Sequence, residues 1–205
     1  MSIPIFPFQK GEETMDDGIV ARYPKEVVLK TGGKVYLRPL REDDVERLYD
    51  FFLNEVSEED LMLLRDNVKD YYVVEGWCKN LDYDRVFPLV AETEEGRILG
   101  NATLHHRDYG WSRRVAKIRV LTCLRCRGLG LGTAMVRELL EVAQLMGMEK
   151  VMAEVLSSQK AAMDALEKLG FQKVACIPEL AHDYKGNKHD LCIYLHTVRP
   201  QWDTF

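Results

Sequence analysis

The chain has 205 residues, of which 46% are hydrophobic, and a formal net charge of −5. This length and apolar fraction suit one globular domain with a single core. The acidic balance argues against a nucleic-acid-binding protein, which usually carries a basic face. No apolar run approaches the ~20 residues that a membrane span requires, and the N-terminus lacks the basic-then-apolar pattern of a signal peptide. We therefore expect a cytoplasmic protein with neither a nucleic acid nor a membrane as partner.

The five cysteines show no obvious disulfide framework, which favours a reducing compartment. Cys123 and Cys126 form a C-x-x-C pair, a spacing that also occurs in redox and zinc sites. Because no second Cys or His pair stands at ligand spacing, we expect no metal site and interpret the pair as packing.

The first half of the chain is expected to contain an extension, a hairpin and three helices. Residues 1–20 carry acidic pairs and are expected to be a mobile extension, which leaves residues 21–205 as a single domain. Val27–Leu29 and Val35–Leu37 flank a Thr-Gly-Gly turn and predict a hairpin. Apolar residues at helical spacing and capping signals predict helices over 42–56, 57–64 and 69–80.

The second half is expected to continue the sheet. A second hairpin is predicted from Phe87–Glu92 and Ile98–His105, around a Glu-Glu-Gly turn. The remaining predicted elements are a strand over Val115–Leu121, a helix over Thr133–Met146, a strand over Val151–Leu156, a helix over Gln159–Leu169 and strands over Phe171–Ile177 and Asp190–Thr197. Hairpins around a strand-helix-strand unit predict an α+β fold with a mixed sheet.

A glycine-rich segment lies between the Val115–Leu121 strand and the following helix. It reads Arg-Cys-Arg-Gly-Leu-Gly-Leu-Gly-Thr over residues 125–133. Such a turn gathers backbone N–H groups at a helix N-terminus, where the helix dipole favours a phosphate or pyrophosphate. Glycines let the backbone approach the anion closely, and Arg125 and Arg127 add positive charge. The alternative is a tight strand-to-helix turn without a ligand.

Two common phosphate motifs fit this segment poorly. A P-loop requires Gly-Lys-Ser/Thr, whereas Gly132 is followed directly by Thr133. The dinucleotide-binding fingerprint requires a third glycine at the position of Thr133. Neither motif therefore identifies the ligand.

The turn resembles instead the Gln/Arg-x-x-Gly-x-Gly/Ala signature of the GCN5-related N-acetyltransferase (GNAT) family. Arg127, Gly130 and Gly132 carry the match, and a second, partial register begins at Arg125. Two further segments resemble the family in the right order, an opening Arg-Pro-Leu-Arg-Glu-Asp-Asp over residues 38–44 and a closing Leu-Gly-Phe junction over residues 169–171. The resemblance covers residues 34–197 and is nearest to GNAT domains that acetylate protein lysines.

The resemblance implies a mixed, mostly antiparallel sheet with a central splayed pair of strands, flanked by helices. It implies an acetyl-CoA-dependent N-acetyltransferase, with acetyl-CoA as cosubstrate, no metal, and a protein lysine or a small-molecule amine as acceptor. It also allows a homodimer. The implied coenzyme A-binding positions are Val120, Leu121, Thr122, Arg125, Arg127, Gly128, Leu129, Gly130, Leu131, Gly132, Thr133 and Gln159.

The catalytic positions depart from the family pattern. Lys117 stands where the family has a glutamate general base, and Leu166 stands where it has a tyrosine general acid. Glu154 could act as a base through water or could pair with Lys117, and both interpretations are open. His105 is a second candidate base, because imidazole titrates near neutrality, although a structural role is the alternative. The sequence thus leaves a transferase, a non-catalytic acyl-CoA sensor and a scaffold as the function classes.

Overall fold

The computed structural model describes residues 15–61, 64–183 and 185–198. The helices are α1 (Met15–Val20), α2 (Val45–Asn54), α3 (Glu58–Leu61), α4 (Tyr71–Lys79), α5 (Leu131–Leu145) and α6 (Lys160–Lys168). The strands are β1 (Lys25–Val28), β2 (Lys34–Pro39), β3 (Val86–Glu92), β4 (Ile98–His105), β5 (Val115–Thr122), β6 (Lys150–Leu156), β7 (Gln172–His182) and β8 (Lys188–Thr197). Short 3₁₀ turns cover Glu42–Asp44 and Leu124–Cys126.

All eight strands form one sheet in the order β1-β2-β3-β4-β5-β6-β8-β7. Neighbouring strands are antiparallel except β5 and β6, which run parallel because helix α5 connects them. The predicted α+β fold with a mixed, mostly antiparallel sheet is confirmed.

The two parallel strands separate part-way along their length. Their pairing ends with Ile118 opposite Ala153, although β5 continues to Thr122 and β6 to Leu156. Beyond that point β5 pairs only with β4, and β6 pairs only with β8. We call the gap between residues 119–122 and 154–156 the strand opening. It is the central splayed pair that the resemblance implies.

Close packing fixes helix α5 against the centre of the sheet. Met135 and Leu139 of α5 are fully buried. A Cβ added to Gly100 of β4 would lie 2.7 Å from the Sδ atom of Met135, so a larger residue at this position would require the Met135 side chain to shift. This packing holds the N-terminus of α5 beside the end of β5.

A buried ion-pair network explains the Arg-Pro-Leu-Arg-Glu-Asp-Asp segment. The Arg38 guanidinium, 1% exposed, donates to both carboxylate oxygens of Asp44 at 2.6 and 2.8 Å. It also donates to both oxygens of Glu92 at 2.7 and 2.6 Å. Arg38 therefore ties β2 to the start of α2 and to β3.

The boundaries of several helices differ from the predictions for local reasons. Helix α4 begins at Tyr71 because the Asp70 carboxylate accepts a hydrogen bond from the Tyr72 N–H. Helix α5 begins at Leu131, two residues before the predicted start, because Gly130 ends the turn with a φ of 94°. Residues 1–14 of the predicted extension lie outside the described residues. Residues 15–20 of that extension form α1, and Ile19 of this helix is buried. The domain boundary at residue 20 stays a prediction.

The cysteines correct the sequence analysis. Disulfides join Cys123 to Cys126 and Cys176 to Cys192, and Cys78 is free and buried. Cys176 lies directly opposite Cys192 in the β7–β8 ladder, which brings the two sulfur atoms together. The expectation that no disulfide framework exists is wrong, because strand register sets this pairing. Disulfides are rare in reducing compartments, so the cytoplasmic location stays a prediction.

Within the described ranges, no helix is long and apolar enough to cross a membrane. The same part of the chain contains no group of three or more His, Cys, Asp or Glu residues that could hold a metal ion.

Candidate functional site

The glycine turn joins β5 to α5 through two residues with left-handed backbone. Gly128 has a φ of 75° and Gly130 a φ of 94°, values that side chains disfavour. The chain leaves β5 at Thr122, passes through the Leu124–Cys126 turn and enters α5 at Leu131. The glycines are needed here because the chain reverses direction within a few residues.

Five backbone N–H groups of this turn have no acceptor in the part of the chain that the structure describes. The first hydrogen bond at the start of α5 runs from the Ala134 N–H to the Gly130 carbonyl, at 3.0 Å. The N–H groups without an acceptor belong to Gly128, Gly130, Leu131, Gly132 and Thr133. Free N–H groups at the N-terminus of a 15-residue helix favour an anion, as the sequence analysis predicts.

The two arginines of the turn are paired with carboxylates from the α2–α3 segment. The Arg127 guanidinium donates to Asp60 at 2.6 Å and to the Ser57 hydroxyl at 3.0 Å. Arg125 lies 3.4 Å from the Glu55 carboxylate. Their positive charge is therefore shared with two acidic residues, Glu55 and Asp60. No local pattern predicts these contacts, because both carboxylates lie far from the turn along the chain.

Gln159 belongs to the same network. Its amide nitrogen donates to Asp60 at 3.1 Å, and its amide oxygen accepts from the Leu156 N–H at 3.3 Å. Gln159 thus lies at the β6 side of the strand opening and is connected through Asp60 to Arg127 on the other side. Its role in binding coenzyme A stays a prediction.

Lys30 is a cation at the turn that the sequence analysis missed. Its Cε atom lies 4.0 Å from the position that a Cβ of Gly130 would take, and its N–H donates to the Leu129 carbonyl at 3.1 Å. Among the described residues, its ammonium group has no hydrogen-bond or ion-pair partner. Lys30 reaches the turn because the β1–β2 hairpin folds over it, a tertiary contact that no local pattern indicates.

One face of the sheet beside the strand opening is polar. Residues directly opposite each other on antiparallel strands share a face, and His105 lies opposite Lys117 while Thr103 lies opposite Arg119. Glu154 reaches the same face from β6 and forms an ion pair with Lys117. We call this set the polar face; its members are Asn101, Thr103, His105, Lys117, Arg119 and Glu154. Asn101, a buried residue opposite Leu121, is a member that the sequence analysis missed.

His105 is a weak base in this environment. Burial, together with the positive charges of Arg119 and Lys117, lowers the pKa of His105 to about 4. Its Nε2 atom lies 2.9 Å from the Thr103 hydroxyl oxygen. The imidazole is therefore uncharged at neutral pH and binds a proton only under acidic conditions. The neighbouring His106 has its Nε2 atom 3.3 Å from the Tyr83 carbonyl oxygen.

The ion pair of Lys117 and Glu154 agrees with one of the two interpretations left open for Glu154. Burial lowers the pKa of Lys117, and the hydrogen bond to Glu154 opposes that change. The positive charges of Arg65 and Arg119 act in the same direction as burial and lower the pKa. The Lys117 ammonium group is thus a stronger acid than that of an exposed lysine. The Glu154 carboxylate is the ion-pair partner of this ammonium group.

A model of the "Acetyltransferase (GNAT) family" matches residues 45–171, more than half of the chain. The chain belongs to this family. The match includes the glycine turn, the strand opening and Phe171 of the closing junction. The resemblance to the GNAT family is confirmed, and the nearness to domains that acetylate protein lysines stays a prediction.

Individual relatives agree with the family. A Bacillus subtilis protein named "Putative phosphinothricin acetyltransferase YwnH" is 28% identical over 107 residues, which are 51% of this chain and 64% of that protein. The match thus spans less than two thirds of the length of this relative. The GNAT domain of S. lividans PAT has a TM-score of 0.71 at 20% identity, covering 87% of this chain and 98% of that domain. The structure of yncA from Salmonella typhimurium "with its cofactor Acetyl-CoA" has a TM-score of 0.68 at 20% identity, covering 82% of this chain and 95% of that one. Because both solved structures are only 20% identical to this chain, they show similarity of fold alone.

The structure explains how this member of the GNAT family departs from the usual acid position. Leu166 at the end of α6 is 5% exposed and packs in the core with Phe171. An apolar, buried side chain at this position supplies no proton.

Proposed function

We propose that this chain transfers the acetyl group of acetyl-CoA to an amine. The observation that carries the proposal is the glycine turn, whose five free N–H groups lie at the wide end of the strand opening. Those groups fit the pyrophosphate of coenzyme A, and Lys30 adds a positive charge beside them. The unpaired edge of β5 over Val120–Thr122 fits the pantetheine arm as an additional strand-like partner.

The reaction needs a donor for the negative charge that develops on the thioester oxygen. The acceptor nitrogen attacks the carbonyl carbon, an N–C bond forms, and the C–S bond breaks with release of the thiolate. We propose that the backbone N–H of Val120 stabilises the developing oxyanion. The Cys123 N–H donates to the Leu99 carbonyl beside β4, so by alternation the Leu121 N–H also points to β4 and the Val120 N–H points to the strand opening. No side chain is required for this part of the reaction.

The site is less well suited to proton transfer than to binding acetyl-CoA. An amine with a pKa of ~10.4 is mostly protonated at neutral pH and must lose a proton to attack. His105 is too weak a base to hold that proton, and Glu154 is paired with Lys117. We propose that Glu154 accepts the proton through water and that Lys117, with its lowered pKa, donates one to the departing thiolate. The reaction is expected to be slow unless the acceptor arrives uncharged.

The second candidate function is a non-catalytic acetyl-CoA sensor. Lys117 and Leu166 favour it, because they replace the usual base and acid while the glycine turn is retained. A panel of small amines and lysine peptides, assayed for acetyl-CoA-dependent thiol release, separates the two. The transferase proposal predicts amine-dependent release above the hydrolysis background. Release at background for every amine, with acetyl-CoA still bound, would leave the sensor.

We propose that strand β7 forms the interface of a homodimer. It is an edge strand of the sheet and is exposed along almost its whole length. The exposed residues include the apolar side chains of Val174, Ile177 and Leu180. An unpaired strand edge is a template for a second chain. Light scattering on the purified protein tests this, and Leu180→Lys is expected to shift a dimer toward monomer.

A further inference from the structure

We infer that the acceptor amine is a small molecule that carries its own anionic group, a carboxylate or a phosphonate, and that Arg119 binds this group. The inference rests on the proposed acetyl transfer and names the class of its acceptor. Arg119 becomes a residue that determines acceptor specificity.

Arg119 lies at the inner end of the strand opening. It is the first residue of β5 after the last pair with β6, and it points to the polar face opposite Thr103. Its side chain is half-buried. Among the residues that the structure describes, none accepts a hydrogen bond from its guanidinium or forms an ion pair with it.

The neighbouring charges leave a surplus of positive charge. Lys117 is neutralised by Glu154. Burial lowers the pKa of Arg119, the positive charge of Arg65 lowers it as well, and the negative charges of Glu154 and Asp66 oppose this change. Three cations thus face two carboxylates, in a protein whose formal net charge is −5.

A half-buried guanidinium without a partner is costly unless a ligand supplies the anion. Its planar N–H donors match the two oxygens of a carboxylate or phosphonate, which makes a bidentate contact. The polar face therefore fits an acceptor with an anion, and its positive surplus repels an acceptor that is only cationic.

The position of Arg119 separates this anion from the phosphates of coenzyme A. Strands rise about 3.3 Å per residue, so Arg119 lies about 10 Å from Thr122 along β5. The glycine turn begins only beyond Thr122. The pyrophosphate is thus expected at one end of the opening and the acceptor anion at the other.

The test uses matched amines that differ in the anion. β-Alanine is compared with 3-aminopropanol, 4-aminobutyrate with 4-aminobutanol, and 2-aminoethylphosphonate with ethanolamine. At least one amine with an anionic group is expected to have a kcat/KM about 10- to 100-fold above that of its alcohol partner, the range of one charge-assisted contact. Arg119→Gln is expected to remove this preference while the KM for acetyl-CoA stays unchanged. Arg107→Gln, at an exposed arginine beyond the far end of β4, is the matched control and retains the preference.

Three results would overturn the inference. One is equal kcat/KM for both members of every pair, and another is a preference that survives in Arg119→Gln. The third is a raised KM for acetyl-CoA in Arg119→Gln, which would assign the residue to the donor.

A binding experiment distinguishes a failure of the proposed acetyl transfer from a failure of the anion site at Arg119. If no amine is acetylated, calorimetric titration of the coenzyme A-loaded protein with β-alanine, 4-aminobutyrate and 2-aminoethylphosphonate decides about Arg119. Binding that is lost in Arg119→Gln supports the anion site, and absence of binding to the unmodified protein overturns it.

Discussion

Lys117 of β5 is ion-paired with Glu154 of β6 at the place where these two strands separate. In the family resemblance the position of Lys117 belongs to a glutamate. This chain has its carboxylate on the neighbouring strand instead, and the cation takes the place of the base. The two charges of the pair neutralise each other, so the pair adds no net charge to the polar face.

Exchanging the two charges tests the importance of this pair. Lys117→Glu or Glu154→Lys alone places two like charges together in a half-buried site, and each is expected to lower the free energy of unfolding by about 1–3 kcal/mol. The double variant restores the pair and is expected to recover most of that loss. Urea unfolding of the four proteins gives the coupling free energy. Additive losses would show that the two side chains do not interact in solution.

The network around Arg38 makes a separate stability prediction. Arg38→Met leaves the fully buried Asp44 with less compensation and is expected to lower the free energy of unfolding by about 3–5 kcal/mol. Lys34→Met removes an exposed ion pair with Glu26 and is the matched control, with an expected change of less than about 1 kcal/mol. Equal effects of the two variants in urea unfolding would contradict a structural role for Arg38.

His105 makes stability depend on pH in a known direction. Its pKa is about 4 in the folded protein, against about 6.5 for an ordinary histidine. Between these values the unfolded chain binds a proton that the folded protein does not, so acidification from about pH 6.5 to about pH 4 destabilises the fold. His105→Asn is expected to reduce this pH dependence, measured as the urea midpoint across that range.

His106→Asn is the control for the adjacent position. If it flattens the pH profile as much as His105→Asn does, or if His105→Asn leaves the profile unchanged, then the charge environment of the polar face is not the cause.

The sequence predicted the parts of the fold that local patterns determine. The strand before the glycine turn and the helix after it were recognisable because apolar residues change there from alternating to helical spacing, with glycines between. The start of α5 was placed two residues late because the pattern of apolar residues does not show which glycine has a positive φ.

The missed features are tertiary. Arg127 and Asp60 are 67 residues apart, and Lys30 reaches the turn from a different hairpin, so neither contact has a local signal. The disulfide between Cys176 and Cys192 follows from strand register, which the sequence left open. For Glu154, the ion pair with Lys117 was one of two interpretations, and only the placement of β6 beside β5 distinguishes them.

Calorimetric titration with acetyl-CoA tests whether the glycine turn binds the phosphates of coenzyme A. Acetyl-CoA is expected to bind the unmodified protein, and Gly130→Asp is expected to lose at least about 100-fold in affinity because a carboxylate would face the phosphates. Gly110→Asp is the matched control, because Gly110 has a similar φ of 90° but lies in the β4–β5 loop. Gly110→Asp is expected to keep its affinity for acetyl-CoA. Unchanged affinity in folded Gly130→Asp, or no binding to the unmodified protein, would contradict binding at the glycine turn.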